Sequence, residues 1–185
     1  MKHITLPLTR EAARTLRCGD QVLLTGTIYT ARDAAHKRLC ESLQKGEALP
    51  VNLHDITIYF AGPAPAAPGQ VIGPCGPTTS YRMDAYSPAL IEAGLTGMIG
   101  KGRRSQEVIA AMQGRAVYFG ATGGCGALIA RCIRKAEVVA YPELGAEAIH
   151  RLEVTDLPVT VIIDSQGNDL YDQGPAQYLS STSRP

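Results

Sequence analysis

The amino-acid sequence predicts an α/β fold with a mixed sheet. Between residues 20 and 141, short apolar runs typical of strands alternate with segments typical of helices, which favours parallel strands joined by helices. Residues 148–171 carry strand patterns without an intervening helix, which indicates antiparallel strands at that end. The chain has 185 residues, of which 45% are hydrophobic. It is therefore long and apolar enough to form one domain with its own core.

Each predicted element has a local signal. The predicted strands are short aliphatic, β-branched or aromatic runs at 22–25, 56–60, 95–99, 116–119, 137–141, 152–154 and 159–164. The predicted helices are rich in strong helix formers and lie at 10–17, 31–45, 80–93, 105–112 and 127–135. Thr9 and Ser105 predict N-caps, and Gly19 predicts the end of the first helix. Gly26 predicts a turn after the first strand.

Composition limits the class of protein. We expect one domain over residues 1–172 and a flexible tail over 173–185, because the tail is rich in Gly, Pro, Ser and Thr. The net charge is +1 and no basic stripe is present, which argues against a nucleic-acid binder. No apolar run approaches the about 18–20 residues needed to cross a bilayer. The first residues lack the apolar segment of a signal peptide, so we expect a cytoplasmic location.

The cysteines show no pattern of a disulfide framework or a metal site. There are five of them, at positions 18, 40, 75, 125 and 132, and no C-x-x-C occurs. Zinc fingers and locally wired iron–sulfur sites need closely spaced thiols. The four histidines are not grouped with acidic residues either. We therefore expect five reduced thiols and no metal bound by this chain alone.

The segment 61–80 is the most irregular part of the sequence, with five prolines and four glycines in twenty residues. It ends in three hydroxyl residues, Thr78, Thr79 and Ser80, and Arg82 follows where a helix is predicted to begin. The free N–H groups of a helix start, together with a guanidinium fork, suit a carboxylate or a phosphate. The alternative is a plain N-cap beside an exposed arginine.

Two other basic residues follow predicted strands. Arg32 lies in the first turn of a predicted helix, where a cation opposes the helix dipole, and His36 shares its helical face. Lys101 stands between two glycines after a short strand, and ligands of open α/β sheets gather at strand ends. The alternatives are an ion pair or solvated face for Arg32, a carboxylate pair or burial for His36, and an ordinary turn for Lys101. The glycine-rich turn 120–126 lacks the G-x-G-x-x-G spacing, which argues against nucleotide binding and favours close packing of helix on sheet.

Several motifs coincide in one order along the chain. The sequence resembles the β subunit of the class I iron–sulfur hydro-lyases, the oxygen-sensitive fumarate hydratases and L-tartrate dehydratases. The resemblance is carried by T-G…R-D…H at 25–36, A-G-P at 61–63, G-P-T-T-S-Y-R-M-D at 76–84 and G-K-G at 100–102. It continues through G-G at 123–124, E-L-G at 143–145 and D-S-Q-G-N at 164–168, and so covers roughly 5–172.

The resemblance implies a fold, a partner and a reaction. The fold is the swivelling three-layer β/β/α domain. The partner is a larger α subunit whose three cysteines hold a [4Fe–4S] cluster with one open iron, so no cysteine of this chain is expected to bind it. In single-chain members this sequence corresponds to the C-terminal domain. The reaction is the reversible removal of water from a 2-hydroxy dicarboxylate, with the open iron acting as a Lewis acid.

The resemblance also implies roles for individual residues. Thr78 matches the catalytic acid/base, acting with an acid residue of the α subunit, and Arg32, Arg82 and Lys101 match basic substrate-binding residues. We add Thr79 to the substrate-binding set. A threonine hydroxyl is a weak base until its pKa falls, and nearby cations and a helix N-terminus act in that direction. Thr79 and Ser80 stay open as alternative carriers of the proton.

Three functional hypotheses follow. Fumarate hydratase, which converts (S)-malate to fumarate, is favoured because it is the commoner member. L-tartrate dehydratase, which converts tartrate to oxaloacetate, differs in substrate by one hydroxyl. A third hypothesis, from another class, is a non-catalytic module that binds small dicarboxylates. For the subunit we expect an α2β2 assembly or contacts between β chains.

Overall fold

The computed structural model describes residues 1–182 and consists of one sheet with helices around it. The strands are β1 (Lys2–Thr5), β2 (Gln21–Thr30), β3 (Thr57–Tyr59), β4 (Gly97–Gly100), β5 (Val117–Gly120), β6 (Ile133–Ala140) and β7 (Ile149–Ile163). The α-helices are α1 (Arg10–Thr15), α2 (Asp33–Lys45), α3 (Ser87–Glu92), α4 (Gln106–Met112), α5 (Gly126–Ala130) and α6 (Leu170–Thr182). Two 3-10 turns lie at Ser80–Met83 and Pro142–Glu147.

The sheet is mixed and partly closed. Its strand order is β1-β2-β3-β4-β5-β7-β6, and β7 also pairs with β2. Strands β1 to β5 are parallel to their neighbours, whereas β7 is antiparallel to β2, β5 and β6. Strands β2, β3, β4, β5 and β7 therefore form a ring. The predicted α/β fold with a mixed sheet is confirmed.

Side chains that alternate along the strands supply two separate cores. In β3, Ile58 joins the core under helices α2, α3 and α4, whereas Tyr59 joins the core enclosed by the ring. In β5 the same alternation separates Tyr118 from Val117 and Phe119. Successive strand side chains point to opposite faces, so β3 and β5 each contribute to both cores. Two walls of sheet and one layer of helices result, which fits the expected three-layer arrangement.

Three predicted boundaries are wrong, because pairing across the sheet overrides local signals. Gly26, with φ +128°, sits at a register shift inside β2 and not in a turn. The predicted strands 152–154 and 159–164 are parts of the single strand β7, which passes through Asp156 at φ +51°. The helix predicted over 127–135 ends at Ala130, and Ile133 begins β6, where it pairs with β7.

The segment predicted as a loose tail is helical up to Thr182. Helix α6 contains Pro175, whose missing N–H leaves the carbonyl of Tyr171 without its usual helical donor. Arg103 Nη2 donates to that carbonyl oxygen at 3.0 Å, which satisfies it. Residues 173–182 of the predicted flexible tail therefore lie in a helix, residues 183–185 lie outside the described residues, and the flexibility of the segment stays a prediction. None of the helices within residues 1–182 has the length and apolar character needed to span a membrane.

Candidate active site

Four neighbouring parallel strands end along one edge of the sheet, here called the carboxyl edge. Arg32 follows β2, Gly62 follows β3, Lys101 follows β4 and Gly123 follows β5. Because β2 to β5 are adjacent and parallel, the residues after them meet at this edge. The sequence motifs separated by up to a hundred residues are therefore neighbours in the fold.

The 61–80 segment leaves β3 and returns to the carboxyl edge. The Thr78 N–H donates to the Phe60 carbonyl oxygen at 2.6 Å, and the Ser80 N–H donates to the Lys101 carbonyl oxygen at 2.9 Å. Thr79 and Lys101 form an isolated parallel bridge. The three hydroxyl residues are thus anchored by backbone hydrogen bonds at the ends of β3 and β4.

Ser80 differs from the two threonines in its surroundings. Its side chain is fully buried, and its Oγ accepts from the Lys101 N–H at 3.0 Å and lies 2.9 Å from the Tyr118 hydroxyl. A methyl group at Gly100 would overlap this oxygen, so only glycine leaves room for it. Thr78 and Thr79 are half-buried, and the Thr79 side chain caps no helix turn. The Ser80 hydroxyl is therefore occupied in holding the loop, unlike the hydroxyls of its neighbours.

Arg32 and Arg82 are linked through one carboxylate. Arg82 Nε donates to Asp33 Oδ1 at 2.9 Å, and Arg32 Nε lies 3.8 Å from Asp33 Oδ2. On its other side, Arg32 Nη2 lies 3.5 Å from Glu147 Oε1, while Glu147 Oε2 accepts from the Ala34 N–H at 2.9 Å. Glu147 thus caps the start of α2, where an anion favours the helix dipole. The ion-pair alternative for Arg32 is confirmed, and it coexists with a place at the carboxyl edge.

The A-G-P motif explains how Arg32 fits against the β3 end. A methyl group on Gly62 would lie 3.1 Å from both Cδ and Nη1 of Arg32, and 2.9 Å from the Ala146 carbonyl oxygen. These approaches are closer than side chains accept without moving the backbone. Gly62 therefore provides the space in which the Arg32 side chain lies.

Lys101 is exposed and extends toward the glycine-rich turn after β5. A methyl group on Gly123 would lie 3.6 Å from Lys101 Cδ and 3.7 Å from its Nζ. Within residues 1–182 the ammonium group forms no ion pair. Among the described basic residues of this edge, Lys101 is therefore the one whose charge no carboxylate balances.

The sequence analysis did not identify Arg104, whose buried side chain holds the loops of the site together. Its side chain is fully buried, with Nε donating to Asp84 Oδ1 at 2.6 Å and Nη2 donating to Ser87 Oγ at 2.6 Å. Its guanidinium also lies 5.2 Å and 5.1 Å from the ring centroids of Phe60 and Tyr118. This pair ties the Ser80–Met83 turn to the chain that follows Lys101. Asp33 and Glu147 were also missed, although the acidic Asp33 at a helix start was a readable signal.

His36 is a buried core residue. Its Nδ1 lies 2.9 Å from the Arg32 carbonyl oxygen and its ring meets the Phe60 ring edge-on at 5.2 Å. Burial lowers the pKa of His36 to about 4. The imidazole is therefore neutral near pH 7, and burial is the correct alternative for this residue.

The described residues offer no ligand set for a metal. Within residues 1–182, no three Cys, His, Asp or Glu side chains are grouped so that they could hold an ion. Cys40 and Cys75 are buried, and burial raises the pKa of Cys75 to about 12, which disfavours the thiolate that binds iron. An iron–sulfur cluster does not fit these residues.

Comparison with known proteins identifies the family. A sequence family described as "Fumarase C-terminus" matches residues 1–174. The chain belongs to the fumarase C-terminal family.

Relatives of this fumarase C-terminal chain fall into two groups by length. The aerobic class I fumarate hydratase of Salmonella typhimurium is 44% identical over 153 residues, which is 81% of this chain and 26% of that protein. The aerobic class I enzyme of Escherichia coli K12 is 41% identical over 176 residues, 94% of this chain and 31% of that protein. A putative L(+)-tartrate dehydratase subunit beta of Methanocaldococcus jannaschii is 37% identical over 180 residues, 94% of this chain and 92% of that protein. The chain thus spans about a third or less of the fumarate hydratases and nearly all of the β subunit.

The fold brings most predicted site residues together. Arg32 and Arg82 share Asp33, and Lys101 pairs with the loop that carries Thr78 and Thr79. Their individual roles remain predictions.

Proposed function

We propose that this chain is the β subunit of a [4Fe–4S]-dependent hydro-lyase that reversibly dehydrates a 2-hydroxy dicarboxylate, with (S)-malate to fumarate as the first candidate reaction. It acts with an α subunit that carries the cluster, in a heteromer of the α2β2 type. The active domain is residues 1–172, and its location is cytoplasmic. The observation that carries the proposal is the gathering of three cations and two threonines at one edge of four parallel strands.

The charges at the carboxyl edge suit a small dianion. The edge carries three cations, on Arg32, Arg82 and Lys101, and two carboxylates, on Asp33 and Glu147. Its net charge is therefore one positive unit. A guanidinium fork binds a carboxylate with two parallel hydrogen bonds. Lys101, the cation without a carboxylate partner among residues 1–182, is available to the second carboxylate of the substrate.

The proton step is assigned to Thr78. Dehydration breaks a C–H bond next to the carbinol carbon and the C–O bond of that carbon, and the electron pair of the C–H bond forms the double bond. Thr78 Oγ1 acts as the alkoxide, which neighbouring cations stabilise after the hydroxyl proton has passed to solvent, and it becomes a neutral hydroxyl when it takes the substrate proton. Ser80 is the weaker alternative because its hydroxyl already serves the Lys101 N–H. The departure of hydroxide is assigned to the partner subunit.

The decisive experiment joins the chain with its α subunit under anaerobic conditions. We expect the pair to dehydrate malate and the isolated chain to show no turnover and no stoichiometric iron. Thr78→Ala should abolish turnover while the complex still elutes as an assembled species in gel filtration. Thr79→Ala removes the neighbouring hydroxyl of the predicted substrate-binding set, so it should raise KM and keep turnover, and loss of turnover in this variant would assign the proton to Thr79. Surviving turnover in Thr78→Ala contradicts the proton assignment, and iron bound stoichiometrically by this chain alone contradicts the subunit assignment.

L-tartrate dehydratase is the second candidate, because one relative is described as a subunit of that enzyme. The putative L(+)-tartrate dehydratase subunit beta of Methanocaldococcus jannaschii is 37% identical to this chain over 180 residues. Comparing kcat/KM for malate and tartrate with the assembled pair separates the two candidates. Tight binding of either dicarboxylate to the isolated chain, with no turnover in the pair, favours a binding module.

A further inference from the structure

Asp33 occupies an unusual position between two arginines of the site. Its Oδ1 accepts from Arg82 Nε at 2.9 Å, and its Oδ2 lies 3.8 Å from Arg32 Nε. Oδ2 and Arg32 Nε are both shielded from solvent, and within residues 1–182 neither has a hydrogen-bond partner. Since Asp33 is the first residue of α2, its backbone is fixed by the helix.

The atoms that Asp33 contacts decide which part of each guanidinium stays available. A guanidinium offers donors along its Nε side and at its two terminal nitrogens. Asp33 lies on the Nε side of both arginines. The Arg82 side chain is 43% exposed, and within residues 1–182 its terminal nitrogens form no ion pair. For Arg32, Nη1 lies at Gly62, and only Nη2 approaches a carboxylate, that of Glu147 at 3.5 Å.

We propose that Asp33 is a positioning residue, which holds Arg82 by its Nε side and keeps Arg32 beside it, so that the terminal nitrogens of Arg82 face the substrate dicarboxylate. The inference rests on the proposed function. Asp33 touches the arginines and not the substrate. Its carboxylate also offsets repulsion between the two guanidiniums, which lets both approach one small ligand.

A competing role has the opposite consequence. If the Asp33 carboxylate merely fills the place of a substrate carboxylate, its removal frees both arginines and lowers KM. If it positions them, its removal lets the guanidiniums separate and raises KM. The sign of the change in KM therefore decides between the two roles.

The kinetic test uses the assembled hydro-lyase with Asp33→Ala, Asp33→Asn and, as control, Glu41→Gln. Glu41 lies on the same helix and pairs with Lys37 on an exposed face, so its substitution changes the same unit of charge away from the site. We expect KM in Asp33→Ala to rise about tenfold, the scale of one charge-assisted hydrogen bond. We expect kcat to change less than about threefold, since uniform binding is what is lost. Asp33→Asn keeps an oxygen that can accept from Arg82 Nε, so its KM should rise less than that of Asp33→Ala. The KM of Glu41→Gln should equal that of the wild type.

A second measurement uses the full chain alone and does not depend on catalysis. In a ¹⁵N-labelled sample, the Arg82 Nε–H signal is assigned by its loss in Arg82→Lys. In the wild type and in Glu41→Gln this proton should be protected from exchange with water. In Asp33→Ala the signal should shift and exchange with water.

The outcomes separate the inference from the proposed function. An unchanged or lowered KM in Asp33→Ala, with an active wild-type pair, overturns the positioning role. An unprotected Arg82 Nε–H in the wild type overturns it as well. A wild-type pair inactive on both malate and tartrate overturns the proposed function and with it the catalytic purpose of Asp33, while the protected signal would still establish the contact.

Discussion

Gly100→Ala tests whether close packing at the end of β4 holds the site in place. The added methyl would overlap Ser80 Oγ, which must then leave its position. The Lys101 N–H would lose its acceptor, at a cost of about 1–3 kcal/mol. The Tyr118 hydroxyl keeps a second acceptor, the Gly102 carbonyl oxygen at 2.9 Å, so its loss of the Ser80 hydroxyl adds little to the cost in stability. Overpacking costs about 1–3 kcal/mol more, so the free energy of unfolding should fall by roughly 4 kcal/mol, with a Tm lower by roughly 12 °C.

Urea unfolding of the purified chain, followed by circular dichroism, measures this change. Gly174→Ala is the control, since a methyl there meets nothing within 4 Å and gains helix propensity. In the double variant Gly100→Ala/Ser80→Ala the overlap with Ser80 Oγ is removed, and the new methyl would lie 3.3 Å from the residue 80 Cβ and 2.9 Å from Phe60 Cδ2. The free energy of unfolding of the double variant should therefore fall by at least about 1 kcal/mol less than the sum of the decreases in the two single variants. A Gly100→Ala variant within about 1 kcal/mol of wild type, or a strictly additive double variant, would refute the reasoning.

Two further predictions concern buried charged or titratable groups. Arg104→Met should lower the free energy of unfolding by about 3–5 kcal/mol, because it leaves the Asp84 carboxylate without its buried partner. Urea titration measures this change, with Arg103→Met as the exposed control. Equal losses in the two variants would contradict a special role for the buried pair. For His36 the folded-state pKa is depressed to about 4, so protons bind the unfolded state first and stability should fall as pH drops from about 6.5 toward 4. The loss should reach about 3 kcal/mol near pH 4, and His36→Asn should flatten the stability profile over that interval; an unchanged profile would show that another group is responsible.

The sequence predicted most elements because their signals are local. Thr9 Oγ1 accepts from the Ala12 N–H at 3.2 Å and Ser105 Oγ accepts from the Val108 N–H at 3.4 Å, as the cap patterns indicated. The full length of β2 and β7 could not be predicted in the same way. Glycine at position 26 is equally compatible with a turn and with a bulge in a long strand. Only pairing with a strand more than a hundred residues away decides between them.

The sequence predicted the site residues that belong to a recognisable motif. It did not predict the residues that hold those motif residues in place. Arg32, Arg82 and Lys101 stand in motifs, and the fold gathers them at one edge. Arg103 and Arg104 look alike in the sequence, yet the side chain of the first is 60% exposed and that of the second is fully buried. Burial depends on packing against rings and carboxylates that arrive from other parts of the chain. Such support cannot be read from residue types alone.

The ring of strands has a consequence for how the chain is made. Strand β7, which closes the ring between β2 and β5, is the last strand in sequence, and contacts such as that between Thr160 and Gln21 span 139 residues. Loop closure over such distances is entropically costly and slows folding. While the ribosome is still adding residues 149–163, the edges of β2 and β5 have no partner. Unpaired edges are templates for association between chains, so the edges of β2 and β5 favour association between nascent chains until β7 pairs with them.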